Sequence, residues 1–123
     1  MPTVLVISED PFLTDHVVTK LGSVHRVNVH AISASYQVAE AVERYRPDVI
    51  VSDNSFERAR ATYEDVLAPI RQKHPDIRII LLDDAERWGA DPDLAQLARW
   101  NIVLKSEIGN GSFLTDAVLM TAV

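Results

Sequence analysis

The stretch RPDVIVSDNS, from Arg46 to Ser55, places an acidic residue, Asp53, after a short run of apolar or small residues. Val49, Ile50 and Val51 form a continuous β-branched run, which predicts a strand covered on both faces. The run ends at Asp53, and its carboxylate has two interpretations. It either caps the turn that leads toward the next helix, or it takes part in chemistry at the end of the strand.

The rest of the chain repeats this pattern, because short apolar runs alternate with segments of helical periodicity. Strands are predicted over Thr3–Ser8, His25–Ile32, Asp48–Ser52, Ile77–Leu82 and Asn101–Leu104. Apolar stripes at helical spacing start near Phe12, Val38, Tyr63, Leu94 and Phe113, and the last has Ser112 as its cap. Pro69 lies inside the third stripe, where it removes a backbone donor, so we expect that helix to be short or kinked.

Strict alternation of strands and helices predicts an α/β fold with one doubly wound, five-stranded parallel sheet, a flavodoxin-like three-layer sandwich. The least polar strands, the first, third and fourth, are expected at the centre and the wetter second strand at an edge, in the order 2-1-3-4-5. Ligands of such sheets bind at the carboxyl ends of strands one and three. The 123 residues fit one domain over 1–123, either stand-alone or excised from a longer protein.

Composition excludes several classes of protein. The chain has no cysteine, which excludes disulfides and thiolate metal sites. No apolar run approaches the roughly 20 residues of a membrane span, and the N-terminus does not have the pattern of a signal peptide. We therefore expect a cytoplasmic domain with no membrane partner. The net charge of −6 repels phosphates and argues against direct binding of nucleic acid.

Charged side chains gather where the predicted strands end. The residues are Glu9 and Asp10 after the first strand, Asp53 after the third, Asp83 and Asp84 after the fourth and Lys105 after the fifth. All these ends lie at one edge of a parallel sheet, so the carboxylates repel one another unless they pair with the ammonium or bind a cation. A set of oxygen ligands of this kind suits Mg²⁺.

This arrangement resembles the receiver domain of two-component response regulators, over the whole chain. That family carries an acidic pair after strand one and a phosphoacceptor Asp after strand three. A hydroxyl residue follows strand four, and a Lys follows strand five. The spacing of Glu9, Asp53, Asp83 and Lys105 matches the family closely. The resemblance implies that Asp53 accepts a phosphoryl group, that Lys105 pairs with it, and that Asp83 faces the phosphoryl group.

The resemblance also implies a metal site. Glu9 is similar to the family's metal-binding acid, Asp53 is shared with the phosphoryl site, and the backbone carbonyl of Ser55 supplies the third protein ligand. Asp10, which precedes Pro11, is expected first as a helix cap and second as a metal ligand. Together these residues predict weak binding of Mg²⁺.

Five features depart from the family pattern. They are Ser8 for the first acid, Asp83 for the hydroxyl residue, Ile102 for the switch aromatic, Ser106 for the Pro after the Lys, and the loop NSFERARA without its Pro and Gly. Ser8 removes one charge from the metal site. Asp83 brings a carboxylate where a donor is usual, so its repulsion is expected to slow phosphorylation of Asp53.

The resemblance therefore implies a non-enzymatic, atypical signal-transduction receiver, phosphorylated by a histidine kinase or phosphotransfer protein, whose switching is altered or absent. Its partners would be an attached or separate output domain and a second copy in a homodimer. The alternative is a pseudo-receiver that works as a dimerisation or docking module without phosphorylation. An Asp-nucleophile phosphatase is disfavoured because Ser55 stands where its second Asp is needed. Flavin binding is disfavoured because no phosphate-cradling loop follows the first strand.

Overall fold

The computed structural model describes residues 2–23, 27–84, 101–108 and 113–121. Its strands are β1 (Thr3–Ile7), β2 (Asn28–Ile32), β3 (Val49–Asp53), β4 (Ser55–Phe56), β5 (Ala61–Thr62), β6 (Arg78–Asp83) and β7 (Ile102–Leu104). Five of them form one sheet in the order β2-β1-β3-β6-β7, and all four neighbouring pairs are parallel. The predicted fold class and strand order are confirmed, with the wetter strand β2 at an edge.

Helices cover both faces of the sheet. They are α1 (Pro11–Gly22), α2 (Val38–Tyr45), α3 (Tyr63–Lys73) and α4 (Phe113–Thr121). Successive strand residues face opposite sides, so Val4 and Val6 pack with α1 and α4 while Leu5 and Ile7 pack with α2 and α3. The helix predicted near Leu94 and the predicted cap at Ser112 lie outside the described residues. Within the described ranges no helix is long and apolar enough to cross a membrane.

Helix α3 is longer than the sequence indicates. It runs for 11 residues with Pro69 inside it, so the helix is not short, and the alternative expectation of a kink at Pro69 stays a prediction. Asp65 holds its first turn, because Oδ2 accepts hydrogen bonds from the backbone N and the hydroxyl of Thr62, at 3.0 and 3.2 Å. Leu67 and Ile70 are buried on either side of the exposed proline. Packing of this face offsets the backbone hydrogen bond that Pro69 cannot make.

A small hairpin follows β3, where the sequence predicts only a loop. Strands β4 and β5 pair antiparallel, and the turn between them passes through Arg60, whose φ of 50° is left-handed. Phe56 is fully buried in the core under α2 and α3. On the outer side, Glu9 Oε1 accepts a hydrogen bond of 3.0 Å from the backbone N of Arg58. The hairpin is thus fixed by one buried aromatic ring and one tie to the end of β1.

Candidate functional site

A cavity of about 410 Å³ opens at the carboxyl ends of the central strands. Its lining residues are Glu9, Asp10, Asp53, Ser55, Glu57, Arg58, Asp84 and Lys105. The lining therefore carries five carboxylates against one ammonium and one guanidinium group. The ends of β1, β3, β6 and β7 supply most of these side chains because parallel strands end at the same edge of the sheet, and the β4–β5 hairpin supplies the others.

Asp53 is the most buried acid of the cavity lining, with only 6% of its surface exposed. It is the last residue of β3, a strand buried along its whole length. Oδ1 lies 2.7 Å from Lys105 Nζ and accepts a 2.8 Å hydrogen bond from the backbone N of Asn54. Oδ2 accepts a 3.0 Å hydrogen bond from the Ser8 hydroxyl. Three donors thus stabilise the charge of this buried carboxylate.

Lys105 follows β7 and begins the 3-10 turn Lys105–Glu107. Besides Asp53, its Nζ contacts Asn54 Oδ1 at 3.1 Å and Asp84 Oδ1 at 3.4 Å. Burial alone lowers the pKa of Lys105, but the hydrogen bond and the charge of Asp53, followed by those of Asp84, outweigh burial and raise the pKa above 10.5. The ammonium is therefore fully charged at neutral pH.

Asn54 connects the ends of three strands, and sequence reasoning missed it. Its Nδ2 donates to Asp83 Oδ1 at 2.8 Å and to Asp84 Oδ2 at 3.0 Å, while its Oδ1 accepts from Lys105. Only 7% of the residue is exposed. The signal that could have found it is its position, since it directly follows Asp53 and the strand-end acids converge there.

Asp83, which the sequence predicts to face the phosphoryl group, is not among the residues that line the cavity. Asp83 is the last residue of β6 and is 2% exposed. Its Oδ1 accepts from Asn54 Nδ2 and from the backbone N of Asp84, both at 2.8 Å. Asp84, one residue further, lines the cavity instead. Because β6 extends one residue beyond its predicted end at Leu82, it is Asp84 that turns out of the sheet toward Lys105.

The structure brings the four predicted metal ligands, Glu9, Asp10, Asp53 and Ser55, to one cavity. Asp10 is the N-cap of α1, and its side chain accepts from the backbone N of Phe12 and Leu13. Glu9 already accepts from the hairpin backbone. No group of three acidic or histidine side chains in the described parts of the chain is placed to hold a metal ion. The oxygen donors at the cavity are of the kind that binds Mg²⁺, but the described side chains do not form a preformed site.

No family model and no curated protein matches this sequence. Solved structures of response regulators match it in fold. RcsB from Salmonella enterica serovar Typhimurium, bound to promoter DNA with phosphomimetic beryllofluoride, has a TM-score of 0.73 at 18% identity, with 100% of both chains covered. The non-phosphorylated RcsB receiver domain from Escherichia coli has a TM-score of 0.71 at 17% identity, with 97% of this chain and 92% of that one covered.

A DNA-binding response regulator of the LuxR family from Staphylococcus aureus has a TM-score of 0.71 at 20% identity, with both chains fully covered. Other matches are to longer proteins: this chain spans 59% of a second Salmonella RcsB chain and 46% of the anti-anti-sigma factor PhyR from Bartonella quintana. The structural neighbours are response regulator receiver domains, and the chain has the receiver fold.

Proposed function

We propose that this domain is a signal-transduction receiver in which Asp53 accepts a phosphoryl group from a histidine kinase or phosphotransfer protein. One observation carries the proposal: a buried carboxylate pairs with a lysine at 2.7 Å beside a cavity at the carboxyl edge of the sheet. A carboxylate nucleophile needs a neighbouring cation because the phosphoryl group it attacks is itself an anion.

The reaction is a transfer between two anions. An oxygen of Asp53 forms a bond to phosphorus, and the bond from phosphorus to the nitrogen of a phosphohistidine breaks. The electron pair of that bond stays on the departing imidazole. Among the described contacts, Oδ2 of Asp53 accepts a hydrogen bond only from the neutral Ser8 hydroxyl. Oδ1 accepts hydrogen bonds from the Lys105 ammonium and from a backbone N–H. Oδ2 is therefore the oxygen that attacks phosphorus more readily, because charge-assisted hydrogen bonds are the stronger ones and Oδ2 has none to break.

Mg²⁺ fits this function as a weakly held ion. Glu9, Asp53 and the Ser55 carbonyl would hold it, with Asp10 beside them. When bound, the ion supplies positive charge against the phosphoryl oxygens. Ser8 donates a hydrogen bond to Asp53 where a second acid is usual, so this chain brings one carboxylate fewer to the ion.

Transfer to Asp53 is tested with a small phosphodonor. The purified domain is incubated with acetyl phosphate and Mg²⁺, and its intact mass is followed. We expect the wild type to gain the mass of one phosphoryl group, while Asp53→Asn, which keeps the shape of the side chain, gains none. A wild type that stays unmodified at every donor concentration contradicts the proposal, and so does a variant that is modified equally well.

Association and output follow from the same proposal. The solved relatives include regulators that bind DNA, so we propose that a phosphorylated domain acts on an attached or separate output domain in the cytoplasm. A homodimer is the simplest form of that coupling. Direct binding of DNA by this domain is not part of the proposal, because its net charge is −6.

A second function is favoured by a specific observation, the carboxylate of Asp84 beside Lys105. A negative charge at this place opposes phosphorylation. The domain would then dock onto a partner, or onto a second copy, without being phosphorylated. Asp53→Asn separates the two functions, because this variant keeps partner binding in a docking module and loses regulation in a phosphorylated receiver.

A further inference from the structure

We infer that Asp84 is a resident anion that holds Lys105 and limits the entry of a phosphoryl group to the site. The inference rests on the proposed function, because it assigns a regulator to the same phosphoryl site. The carboxylate that controls access is Asp84, which lines the cavity, and not Asp83, which lies buried beneath it.

Lys105 has a limited number of hydrogen-bond donors to offer a phosphoryl group. A lysine ammonium has three N–H donors. The described contacts of Nζ are also three: Asp53 Oδ1, Asn54 Oδ1 and Asp84 Oδ1. A phosphoryl oxygen can reach the ammonium only by displacing one of these acceptors. Asp84 has the longest of the three contacts, at 3.4 Å, and is therefore the acceptor that is displaced.

The position of Asp84 is fixed from a second side. Asn54 Nδ2 donates to its Oδ2 at 3.0 Å, so the two carboxylate oxygens of Asp84 contact different partners. The same Nδ2 donates to the buried Asp83, which orients the amide. Asp83 thus positions Asn54, and Asn54 with Lys105 holds Asp84 at the cavity wall.

The negative charge of Asp84 opposes the entry of a phosphoryl group. Asp53 and Asp84 already place two carboxylates on one ammonium, and a phosphoryl group would add further negative charge within a few ångströms. The side chain of Asp84 is 44% exposed, so solvent and salt weaken the repulsion without removing it. Neutralising Asp84 should free one donor of Lys105 and remove one repelling charge in a single change.

The experiment measures binding of beryllofluoride, a phosphoryl analogue, with Mg²⁺ present and amide NMR shifts as the readout. The variants are Asp84→Asn and Asp84→Ala; the alanine variant is needed because an asparagine oxygen can still accept from Lys105. Glu57→Gln is the matched control, since Glu57 lines the same cavity and its loss removes one charge without touching Lys105. We expect Asp84→Ala to bind at least about tenfold more tightly than the wild type, or ~1.4 kcal/mol, and Glu57→Gln to stay within about threefold, ~0.65 kcal/mol.

Three results would overturn the inference, and they are distinguishable. If the wild type binds beryllofluoride as tightly as both Asp84 variants, Asp84 does not limit access, and the proposed function stands. The same conclusion follows if Glu57→Gln gains as much as Asp84→Ala, because the effect is then one of overall cavity charge. If no variant binds beryllofluoride, the inference fails together with the proposed phosphorylation of Asp53.

Discussion

Asp53 and Lys105 form a largely buried ion pair at the centre of the site. The carboxylate is 6% exposed and lies 2.7 Å from the ammonium. A buried acid keeps its charge only while donors and a cation compensate for lost hydration. The pair therefore supports the fold as well as the proposed chemistry, and its contribution to the fold depends on pH.

Replacing Lys105 with Met should lower the free energy of unfolding by about 2 kcal/mol at neutral pH, because Asp53 stays buried without its ammonium. The pKa of Lys105 is raised in the folded state, so its stabilisation is complete below 10.5 and is lost as pH rises through the folded pKa. Urea unfolding should give a constant difference from about pH 7 to 9 and a shrinking one above about pH 10.5.

The matched control is Lys73→Met. Lys73 pairs with Glu43 at 2.7 Å, but its side chain is 68% exposed. Exposed pairs contribute little, so this variant should unfold almost as the wild type does. An equal loss in both variants, or a Lys105 effect that persists unchanged at alkaline pH, would contradict the assignment of the pair as a buried contact.

Much of the site could be predicted at the residue scale, but the exact face of each acid could not. The meeting of Asp53 with Lys105 follows from parallel strands ending at one edge of the sheet. Whether Asp83 or Asp84 lines the cavity depends on where β6 ends, because a shift of one residue turns a side chain to the opposite face of the sheet. Asn54 was missed because an amide after a strand is also an ordinary turn residue.

At the scale of elements, the β4–β5 hairpin decides how the cavity is closed on one side. It contributes Ser55, Glu57 and Arg58 to the lining. Its sequence lacks the Asn-Gly or Asp-Gly signal of tight hairpins, so the pairing was not predictable from local pattern. Burial of Phe56 and the bond from Arg58 N to Glu9 hold it, and both depend on tertiary contacts.

Two substitutions of Glu9 separate its roles. Glu9→Gln keeps an oxygen that can accept from Arg58 N but removes the charge, whereas Glu9→Ala removes both. We expect both variants to lose the weak Mg²⁺ response of the wild type in amide NMR shifts. Only Glu9→Ala should speed hydrogen exchange of the Arg58 amide, with a loss of stability of about 1 kcal/mol.

Three outcomes would contradict the roles assigned to Glu9. Unchanged Mg²⁺ affinity in Glu9→Gln would show that Glu9 is not a metal ligand. A wild type whose amide shifts do not respond even at high millimolar Mg²⁺ would show that the domain has no such metal site. Equal exchange rates at Arg58 in all three proteins would show that the hairpin is held by Phe56 alone.

At the scale of the whole molecule, the sheet order could be predicted because strand polarity differs along the chain. All five residues of β3 are buried, whereas β2 exposes Asn28 and Ala31. A strand with both faces covered must be central, and a strand with a wet face can lie at the edge. Strand polarity predicted which strands are central and which lies at an edge, and the full order followed from the arrangement that doubly wound five-stranded sheets commonly have.

The same truncation at the centre and at the edge tests this order. Val51 in β3 is fully buried, and Val29 in β2 is half-buried. Val51→Ala should lower the free energy of unfolding by about 2–3 kcal/mol, because it removes buried methyl groups and leaves a cavity. Val29→Ala should cost less than about 1 kcal/mol. Urea denaturation measures both, and equal losses would be inconsistent with the strand order.

The central claim, that Asp53 is the phosphoacceptor, is tested most directly by mapping the modified residue. The domain is treated with acetyl phosphate and Mg²⁺, and the acyl phosphate is reduced with borohydride, which converts a phosphorylated aspartate to homoserine. Peptide mass spectrometry then locates the change. We expect homoserine at residue 53 in the wild type, more of it in Asp84→Ala, and none in Asp53→Asn. Reduction of another acid of the cavity to its alcohol, or no homoserine in the wild type and in Asp84→Ala, would contradict the assignment of Asp53.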